Sequence, residues 1–371
     1  MKKSFAVIVA LFICSALLVS VKSQSRSQAA NGPLTLQALN AMLRREAGRS
    51  TIEADLSERI EQFGIAFDPT PDAISQLRKN GAHQYLINTV KRAADKLSAS
   101  AGKVVATGLQ PADPFIEETL KVMRDYLDEL PNFICQLIVL RHADRVGAGA
   151  WTEDNTLSYE LTYNGKEESY KPITPPIEAG KRSFGSVFES AMNDIFGDGG
   201  RPIEDVRGAS SKGQFASGIA SIFGAESKAV FKPAGKERLG NRQTILYDFR
   251  VPKESSDMQV RVKGFDTYIP GYSGTVWIDA ETKRVLRISE ATDDMPKSHP
   301  LTYGETSVDY DMVKLQGLDG DFLLPTRAEM IQANHGQKRY YRNVMYYKGY
   351  RKFETDIKIG GDVTTPQKPP R

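Results

Sequence analysis

The feature of this sequence that most restricts its fold is a long series of short alternating segments with no helical pattern between them. In residues 243–251, for example, Ile245, Tyr247, Phe249 and Val251 fall on one side of an extended chain. Short strands in succession without interleaved helices indicate an antiparallel sheet in meander order. The predicted strands are residues 133–141, 157–163, 167–171, 228–231, 243–251, 258–263, 274–279, 284–290, 305–314, 322–332, 338–347 and 350–357.

The first predicted strand, residues 133–141, is apolar on both of its faces. Phe133 and Leu137 alternate with Ile134 and Ile138. A strand with one face in water alternates apolar and polar residues instead. We therefore expect this strand to be covered on both sides. The dipeptide Asn164-Gly165 predicts a tight hairpin after the second strand.

Short amphipathic helices precede the strands. Ser50 and Glu53 have the spacing of a capping box at a helix start, and Gly64 supplies the left-handed residue at its end. Thr70 followed by Pro71 predicts the start of the next helix. Such helices bury their apolar stripes only against each other, which predicts a compact helical unit.

Two further helical segments belong to the β-rich part of the chain. Residues 114–130 have a broad apolar face and precede the first strand. The Gly- and Ser-rich residues 183–224 interrupt the strands and contain two short helical patterns, at 187–196 and 215–223. We expect this segment to be a mobile insertion over the sheet.

The N-terminus has the layout of a secretory signal peptide. Lys2 and Lys3 precede an uncharged apolar run, residues 5–21, and the small residues Val21 and Ser23 fit a cleavage site before residue 24. The alternative is an uncleaved anchor, because the run approaches the length that spans a bilayer. The polar stretch that follows favours cleavage. We expect a periplasmic or secreted protein that is soluble after cleavage.

Cys14 raises the possibility of lipid attachment. Phe12 and Ile13 precede it, where a lipoprotein signal requires small residues, so we do not expect a lipoprotein. Once the signal is removed, Cys135 is the sole cysteine and no internal disulfide can form. The formal net charge of +3 gives no general field for polyanions, and no nucleic acid partner is expected.

The sequence therefore predicts an α+β fold, in which a small N-terminal helical domain precedes an antiparallel β half-barrel or strongly curved sheet with covering helices. The predicted boundaries are a signal peptide at 1–23, a disordered stretch at 24–32, a helical domain at 33–98, a linker at 99–113, a β-rich domain at 114–358 with its insertion at 183–224, and a disordered tail at 359–371.

Residues 114–357 resemble the open half-barrel of the periplasmic lipoprotein-sorting carriers (LolA-type) and related lipid-binding envelope lipoproteins. The closest local matches are TVWIDAETKRVLRISE, residues 275–290, and SVDYDMVKLQGLDGDFLLPTRAEM, residues 307–330. The helical unit, with AGRSTIEADLSERIEQFGIAFDPTPDAISQLRKNGAHQYLI at residues 47–87, is similar to segments of uncharacterised exported bacterial proteins. The carrier resemblance implies an apolar concave face under helices that holds acyl chains, and it implies no catalytic residues.

Two functional hypotheses follow. The first is an exported envelope protein whose half-barrel binds or carries an acyl chain, a lipoprotein or another apolar ligand. The second is a non-enzymatic interaction module whose helical domain docks an envelope protein partner. The candidate residues lining an apolar site are Ile134, Ile138, Trp277, Ile278, Leu286 and Ile288.

No pattern in the sequence indicates an enzyme. The four histidines are scattered, without the spacing of a metal motif, and no nucleotide-binding or hydrolase motif is present. Cys135 and His142 differ in strand parity, so they face opposite ways.

Asp309 and Asp311 share a strand face, and Asp319 and Asp321 flank Gly320. Paired carboxylates can bind Ca²⁺ or act in acid–base chemistry, but the first pair fits a solvated sheet face better and the second a β-turn. We therefore predict no catalytic residues, no cofactor site and no metal site.

Residues 338–352 are both basic and aromatic. Such a segment can stack on nucleic acid or contact anionic lipid headgroups. It also fits a strand pair with tyrosines inside and cations outside, where charge protects a sheet edge. For an exported protein of nearly neutral charge, the sheet edge is the favoured interpretation.

Overall fold

The computed structural model describes residues 32–100, 113–165, 167–173, 216–262 and 265–353. Within these ranges the α-helices are α1 (Leu36–Arg45), α2 (Ile52–Phe63), α3 (Pro71–Lys79), α4 (Gln84–Ser100), α5 (Pro114–Glu129) and α6 (Ala216–Phe223). The strands are β1 (Phe133–Asp144), β2 (Thr152–Asn164), β3 (Glu167–Pro172), β4 (Val230–Leu239), β5 (Arg242–Val251), β6 (Tyr272–Asp279), β7 (Val285–Thr292), β8 (Tyr303–Lys314), β9 (Asp321–Asn334) and β10 (Arg339–Lys352).

All ten strands form one curved sheet that does not close into a barrel. The strand order is β3-β2-β1-β10-β9-β8-β7-β6-β5-β4, and each neighbouring pair is antiparallel. Strands β4 to β10 follow each other as a meander, as predicted. Strand β1 pairs with β10, which is distant from it in the sequence. The predicted α+β class, with helices first and a curved antiparallel sheet after them, is confirmed.

Helices α5 and α6 cover one face of the sheet, which we call the inner face. It carries Leu137, Val276 and Ile288, and helix α5 buries Ile116 and Met123 against it. Each such side chain contributes roughly 1.5–3 kcal/mol when it leaves water. Helix α6 adds a further apolar group, which consists of Ile219, Ile222 and Phe223.

Helices α1 to α4 form a helical unit that packs on the opposite face, which we call the outer face. Lys91 Nζ in α4 lies 2.6 Å from Asp248 Oδ2 in β5, and Asn88 Nδ2 donates a hydrogen bond of 3.0 Å to the Ser273 carbonyl in β6. The unit also has a core of its own. The sheet therefore lies between two helical layers.

The predicted start of α3 is confirmed. Thr70 Oγ1 accepts a hydrogen bond of 3.3 Å from the backbone nitrogen of Ala73, and Pro71 is the first helical residue. Gly64 ends α2 with a positive φ of 78°, as predicted from its position. Local propensity accounts for these boundaries because every partner lies within a few residues.

The predicted capping box at α2 is wrong. Thr51 occupies the N-cap position and makes no side-chain capping bond. Ser50 Oγ instead donates a hydrogen bond of 2.6 Å to Asp144 at the end of β1, and Glu53 accepts one from the backbone nitrogen of His83. Both side chains have distant partners that local spacing does not reveal.

Several predicted strands have different limits. Residues 258–262 form no strand, and Val260 makes only an isolated bridge to Tyr268. The segment predicted at 338–347 and the first residues of the one predicted at 350–357 belong to a single strand, β10, which runs through Gly349 although its φ is 65°. Residues 354–357 lie outside the described residues. The hairpin after β2 is confirmed, but its loop is one residue later because Asn164 pairs with Glu167.

Strand β10 is a central strand, so the expectation that its charges protect an edge is wrong. It lies between β1 and β9. Tyr340, Tyr347 and Tyr350 are buried, but on both faces of the sheet. Tyr340 packs against the helical unit, whereas Tyr347 and Tyr350 belong to the inner-face core. Its cations pair with neighbouring strands, for example Arg342 with Glu329.

Strand β1 is not buried on both faces. Phe133 and Leu137 are buried on the inner face, whereas Ile134 and Ile138 on the outer face are only half-buried. The helical unit covers the outer face nearer to β4–β9 and leaves this end of the sheet less protected.

The predicted insertion is only partly described. Its second helical piece is α6, which is a buried part of the inner-face core rather than a mobile element. The first piece lies outside the described residues, as do the predicted signal peptide and tail. No helix in the described ranges is long and apolar enough to cross a bilayer.

Candidate functional site

The inner face beneath α5 contains half of the predicted lining residues. Ile278, Leu286 and Ile288 belong to its core, and no more than 4% of any of them is exposed. They lie on the neighbouring strands β6 and β7, so they form one continuous apolar surface. The structure brings these three together.

The other three predicted residues lie elsewhere. Trp277 alternates with Ile278 along β6 and faces the helical unit, where the guanidinium of Arg78 lies 4.8 Å from its ring centroid. Ile134 and Ile138 lie on the outer face of β1. Strand alternation separates them from the inner-face set, and a single site cannot contain all six.

Helix α5 is attached to the inner face by polar contacts at both ends. At its N-terminus, Asp113 accepts hydrogen bonds from the backbone nitrogen of Phe115, at 3.0 Å, and from the Tyr247 hydroxyl, at 2.5 Å. Nearer the C-terminus, the Tyr126 hydroxyl donates to the Leu323 carbonyl in β9. Between these contacts the helix rests on apolar side chains.

A further contact joins α5 to α6. Arg124 Nε donates a hydrogen bond of 3.1 Å to the Phe223 carbonyl, which is at the last residue of α6. A cation near the C-terminus of a helix also interacts favourably with the helix dipole. The two inner-face helices are therefore held to each other as well as to the sheet.

The side chains between α5 and the sheet are rich in tyrosine and phenylalanine. Tyr350 donates a hydrogen bond of 2.6 Å to the Pro325 carbonyl, and Tyr272 donates one of 2.8 Å to the Ser221 carbonyl in α6. Burial raises the pKa of both phenols well above the ordinary value, so both stay neutral. Because the hydroxyl groups of these tyrosines are hydrogen-bonded to backbone carbonyls, their rings form an apolar layer beneath α5.

One carboxylic acid, Glu290 in β7, lies on the same face. Burial, with a smaller contribution from the negative charge of Asp257, raises its pKa from 4.5 to about 8. No described residue donates a hydrogen bond to it. At neutral pH Glu290 is therefore a protonated acid, and it adds no charge to the inner face.

Cys135 is a buried part of the inner-face core. Burial raises the pKa of its thiol from 9 to about 12, which keeps it protonated and unreactive. In the described ranges no group of three or more histidine, cysteine, aspartate or glutamate side chains is arranged to hold a metal ion.

The predicted carboxylate pairs separate into structural roles. Asp309 forms a salt bridge with Arg287, while Asp311 is exposed. Gly320, between Asp319 and Asp321, has a φ of 96° and belongs to a turn, as expected.

A titratable cluster that the sequence did not reveal joins the helical unit to β8. Glu53 Oε1 accepts a hydrogen bond of 3.1 Å from the backbone nitrogen of His83, and His83 Nδ1 lies 3.3 Å from Glu305 Oε1. Glu305 Oε2 accepts another, of 2.9 Å, from the backbone nitrogen of Tyr85. The ring of Tyr85 is stacked on that of Tyr303, with centroids 3.9 Å apart.

The environment of this cluster shifts two pKa values upwards. The side chain of His83 is 44% exposed, so the partial loss of water around it only partly favours the neutral form. The hydrogen bond to Glu305 and the charges of Glu305, Glu53 and Glu329 outweigh that loss and raise the pKa to about 9. Burial is the main cause that raises the pKa of Glu53 to about 7. Near neutral pH His83 is therefore a cation between acidic neighbours.

No protein-family model matches the chain, and no curated protein matches it. The crystal structure of a DUF1329 family protein from Desulfovibrio piger aligns with 67% of this chain and 96% of its own, at 14% sequence identity and a TM-score of 0.32. A similarity of this degree does not assign the chain to that family or indicate a function.

Proposed function

We propose that this protein is a non-enzymatic, exported carrier that binds an acyl chain or another apolar ligand between α5 and the inner face. The observation that carries the proposal is an amphipathic helix lying across the apolar face of an open curved sheet, with hydrogen bonds to the sheet near both of its ends. In this closed arrangement the side chains of the protein occupy the inner face, so the ligand enters as α5 moves away.

The polar contacts of α5 are few enough to be released. Three hydrogen bonds hold it, from Asp113, Arg124 and Tyr126, together with an exposed ion pair between Glu118 and Lys283 at 3.6 Å. Breaking three such hydrogen bonds costs on the order of 2–5 kcal/mol. This polar part of the cost is within the range of local opening in folded proteins. An acyl chain would bury the aromatic side chains that α5 uncovers, and so replace the apolar contacts that are lost.

Sequence features support the location and the type of ligand. The cationic start, the apolar run and the cleavage pattern of residues 1–23 favour export to the periplasm or medium. The resemblance to LolA-type carriers rests on residues 275–290 and 307–330, which include most of β6, β7, β8 and β9. Those strands contribute to the inner face.

Two measurements test this proposal. The protein is first purified without detergent, extracted with organic solvent and analysed by mass spectrometry for bound lipid. Binding of a fluorescent fatty acid is then compared in the wild type and in Tyr126→Phe, which loses the bond to the Leu323 carbonyl. Because this loss makes opening of α5 easier by about 0.5–1.5 kcal/mol, the variant should bind the probe about two- to tenfold more tightly.

Tyr268→Phe is the matched control. The Tyr268 hydroxyl also donates to a backbone carbonyl, that of Asp294 at 3.3 Å, but in an exposed loop away from α5. It should bind the probe as the wild type does. A protein that carries no lipid and binds no fatty acid would overturn the proposal. Equal effects of the two substitutions would exclude α5 as the moving element.

A further inference from the structure

A polar cleft lies on the outer face, between the helical unit and strands β6–β9. It has a volume of about 230 Å³. One wall is formed by the start of α4, including His83 and Gln84, and the floor by strand residues such as Ser289 and Ser307. The sheet separates this cleft from α5, so it is independent of the apolar site proposed above.

The cleft contains hydrogen-bond donors that are not fully used. Arg287 donates from Nε to Asp309, but no described residue accepts a hydrogen bond from its two terminal nitrogens. One-third of its side chain is exposed, at 33%. A guanidinium edge of this kind matches the two oxygens of a carboxylate. Arg327 is nearby, since it also approaches Asp309, at 3.9 Å.

Two serine hydroxyl groups lie next to Arg287 and Asp309 on strands β7 and β8. Ser289 Oγ and Ser307 Oγ are 2.8 Å apart, and either can be the donor. Each hydroxyl has one proton, so whichever of them accepts retains a proton to donate elsewhere. In the register of β7 and β8, this pair follows the Arg287–Asp309 pair by two residues on the same face. A ligand bound to Arg287 can reach it.

Acceptors complete the lining. Glu305 and Glu329 both border the cleft. Glu305 receives its bonds from His83 and the backbone of Tyr85, and Glu329 from Arg327 and Arg342. A carboxylate has about four lone-pair sites, so each can still accept from a ligand hydroxyl.

The balance of charge restricts the ligand further. Arg78, Arg287 and Arg327 already have carboxylate partners, in Glu237, Asp309 and Glu329 respectively. A ligand with one negative charge can share these cations, whereas the two charges of a phosphate monoester would repel the acidic partners. The volume is below the roughly 300–1,000 Å³ of sites for drug-sized molecules, which indicates a small ligand.

We propose that this outer cleft binds a small hydroxylated carboxylate of the sugar-acid class. The terminal nitrogens of Arg287 hold the carboxylate, the Ser289–Ser307 pair donates to an adjacent oxygen, and Glu305 and Glu329 accept from the hydroxyl groups. The ligand is then enclosed between the helical unit and the sheet, and it contacts both.

Isothermal titration calorimetry on the full chain tests this site with four probes: glucuronate, glucose, acetate and inorganic phosphate. Glucuronate should bind with a Kd of about 1 mM or tighter. The other three, each lacking the hydroxyls, the carboxylate or the single charge, should bind at least about tenfold more weakly. Because the readout is binding of a polar molecule, the result does not depend on the carrier function.

Variants locate the binding. Arg287→Gln should weaken glucuronate binding about tenfold or more, since it removes a charged bidentate partner. Ser307→Ala, a milder change, should weaken it about two- to tenfold. Arg351→Gln is the matched control. It also removes an arginine bonded to a carboxylate, Glu160 at 2.8 Å, but on strands away from the cleft, and it should bind as the wild type does.

Three results would overturn the proposal. The first is no glucuronate binding by the wild type. The second is binding that Arg287→Gln and Ser307→Ala leave unchanged while both variants keep the wild-type circular dichroism spectrum. The third is tighter binding of phosphate than of glucuronate, which would contradict the assigned chemical class.

Discussion

Arg78, near the end of α3, places its guanidinium over the ring of Trp277 in β6, with the guanidinium carbon 4.8 Å from the ring centroid. The same side chain donates hydrogen bonds to Glu237, at 3.4 Å, and to Thr275, at 2.8 Å. Trp277 Nε1 in turn donates to Glu237, at 3.1 Å. One arginine of the helical unit thus joins two strands of the sheet.

Arg78→Ala should lower the free energy of unfolding by about 2–4 kcal/mol, because it removes a cation–π contact and two hydrogen bonds and leaves Glu237 without its cation. Urea denaturation followed by tryptophan fluorescence measures the change. Arg238→Ala is the control. Arg238 is exposed, and among the described residues its partner is the Asn241 carbonyl in its own turn. It should change stability by no more than about 0.5 kcal/mol, and equal losses would contradict the assigned role of Arg78.

The attachment of the helical unit should weaken as pH rises. The folded protein holds a proton on His83 up to about pH 9, against 6.5 for the reference group. The stability that this proton contributes is therefore complete below about 6.5 and is lost as pH rises through about 9. Glu53 has the same sign, with stability lost as pH rises from 4.5 through about 7.

Thermal unfolding across this pH range measures the effect. His83→Gln should flatten the decline between about pH 6.5 and 9, because the variant has no proton to lose there. His299→Gln is the control, since His299 contacts the Leu301 backbone and the ring of Phe265 rather than the helical unit. A profile of His83→Gln that follows the wild type throughout would show that His83 does not govern this dependence.

Glu290→Gln should stabilise the protein at alkaline pH. The pKa of Glu290 rises from 4.5 to about 8, so the folded state is destabilised progressively as pH increases through that interval and the carboxyl ionises in an apolar environment. Glutamine has nearly the same shape and never ionises. At about pH 9 the variant should be more stable by roughly 2–3 kcal/mol, with little difference near pH 5.

Denaturant titrations at the two pH values give this difference directly. Glu254→Gln is the control, because Glu254 is exposed in the loop after β5 and should show no pH-dependent gain. If Glu290→Gln gains nothing between acid and alkaline conditions, the carboxyl is not held neutral by burial.

Gly274→Ala should destabilise the sheet by about 2 kcal/mol or more. A Cβ atom at this buried position of β6 would lie 2.1 Å from the Ser289 carbonyl oxygen and 2.8 Å from the ring of Phe249. The backbone oxygen cannot move without disturbing β7. Gly336→Ala, where no atom lies within 4 Å of the added carbon, provides the comparison and should be tolerated. Comparable melting temperatures for both variants would contradict this account.

Local patterns predicted the elements whose determinants are local. The alternation of Tyr247 and Phe249 identified β5 and its inward face, and Thr70-Pro71 located the start of α3. Glu53 shows where such reasoning fails, because its spacing from Ser50 fitted a capping box while its partner is His83, thirty residues further along. The side chain of Glu53 could have capped its own helix, but in the structure it makes the tertiary contact instead.

The outer face shows the second limit. Alternation correctly places Trp277 and Ile278 on opposite sides of β6, but it does not say which layer covers each side. The alternating polar positions of Arg287 and Ser289 in β7, facing Ser307 and Asp309 in β8, carried a signal for a polar surface. That this polar surface lies beside His83 depends on how the helical unit packs on the sheet, and no local sequence pattern predicts that packing.

The pairing of β1 with β10 bears on the order in which this molecule can assemble. Phe133 is opposite Lys352, so β1, the first strand in the sequence, pairs with β10, the last. During synthesis β1 therefore has no partner on this side until β10 has been made. The β1–β3 segment and the β4–β9 meander have no direct pairing until β10 arrives between them. Joining them closes a loop of almost the whole β-rich sequence, which is an entropic cost that precedes the contacts it permits. A chain that ended before Arg339 would therefore lose the central strand through which β1–β3 are joined to β4–β9, and not merely a strand at the edge of the sheet.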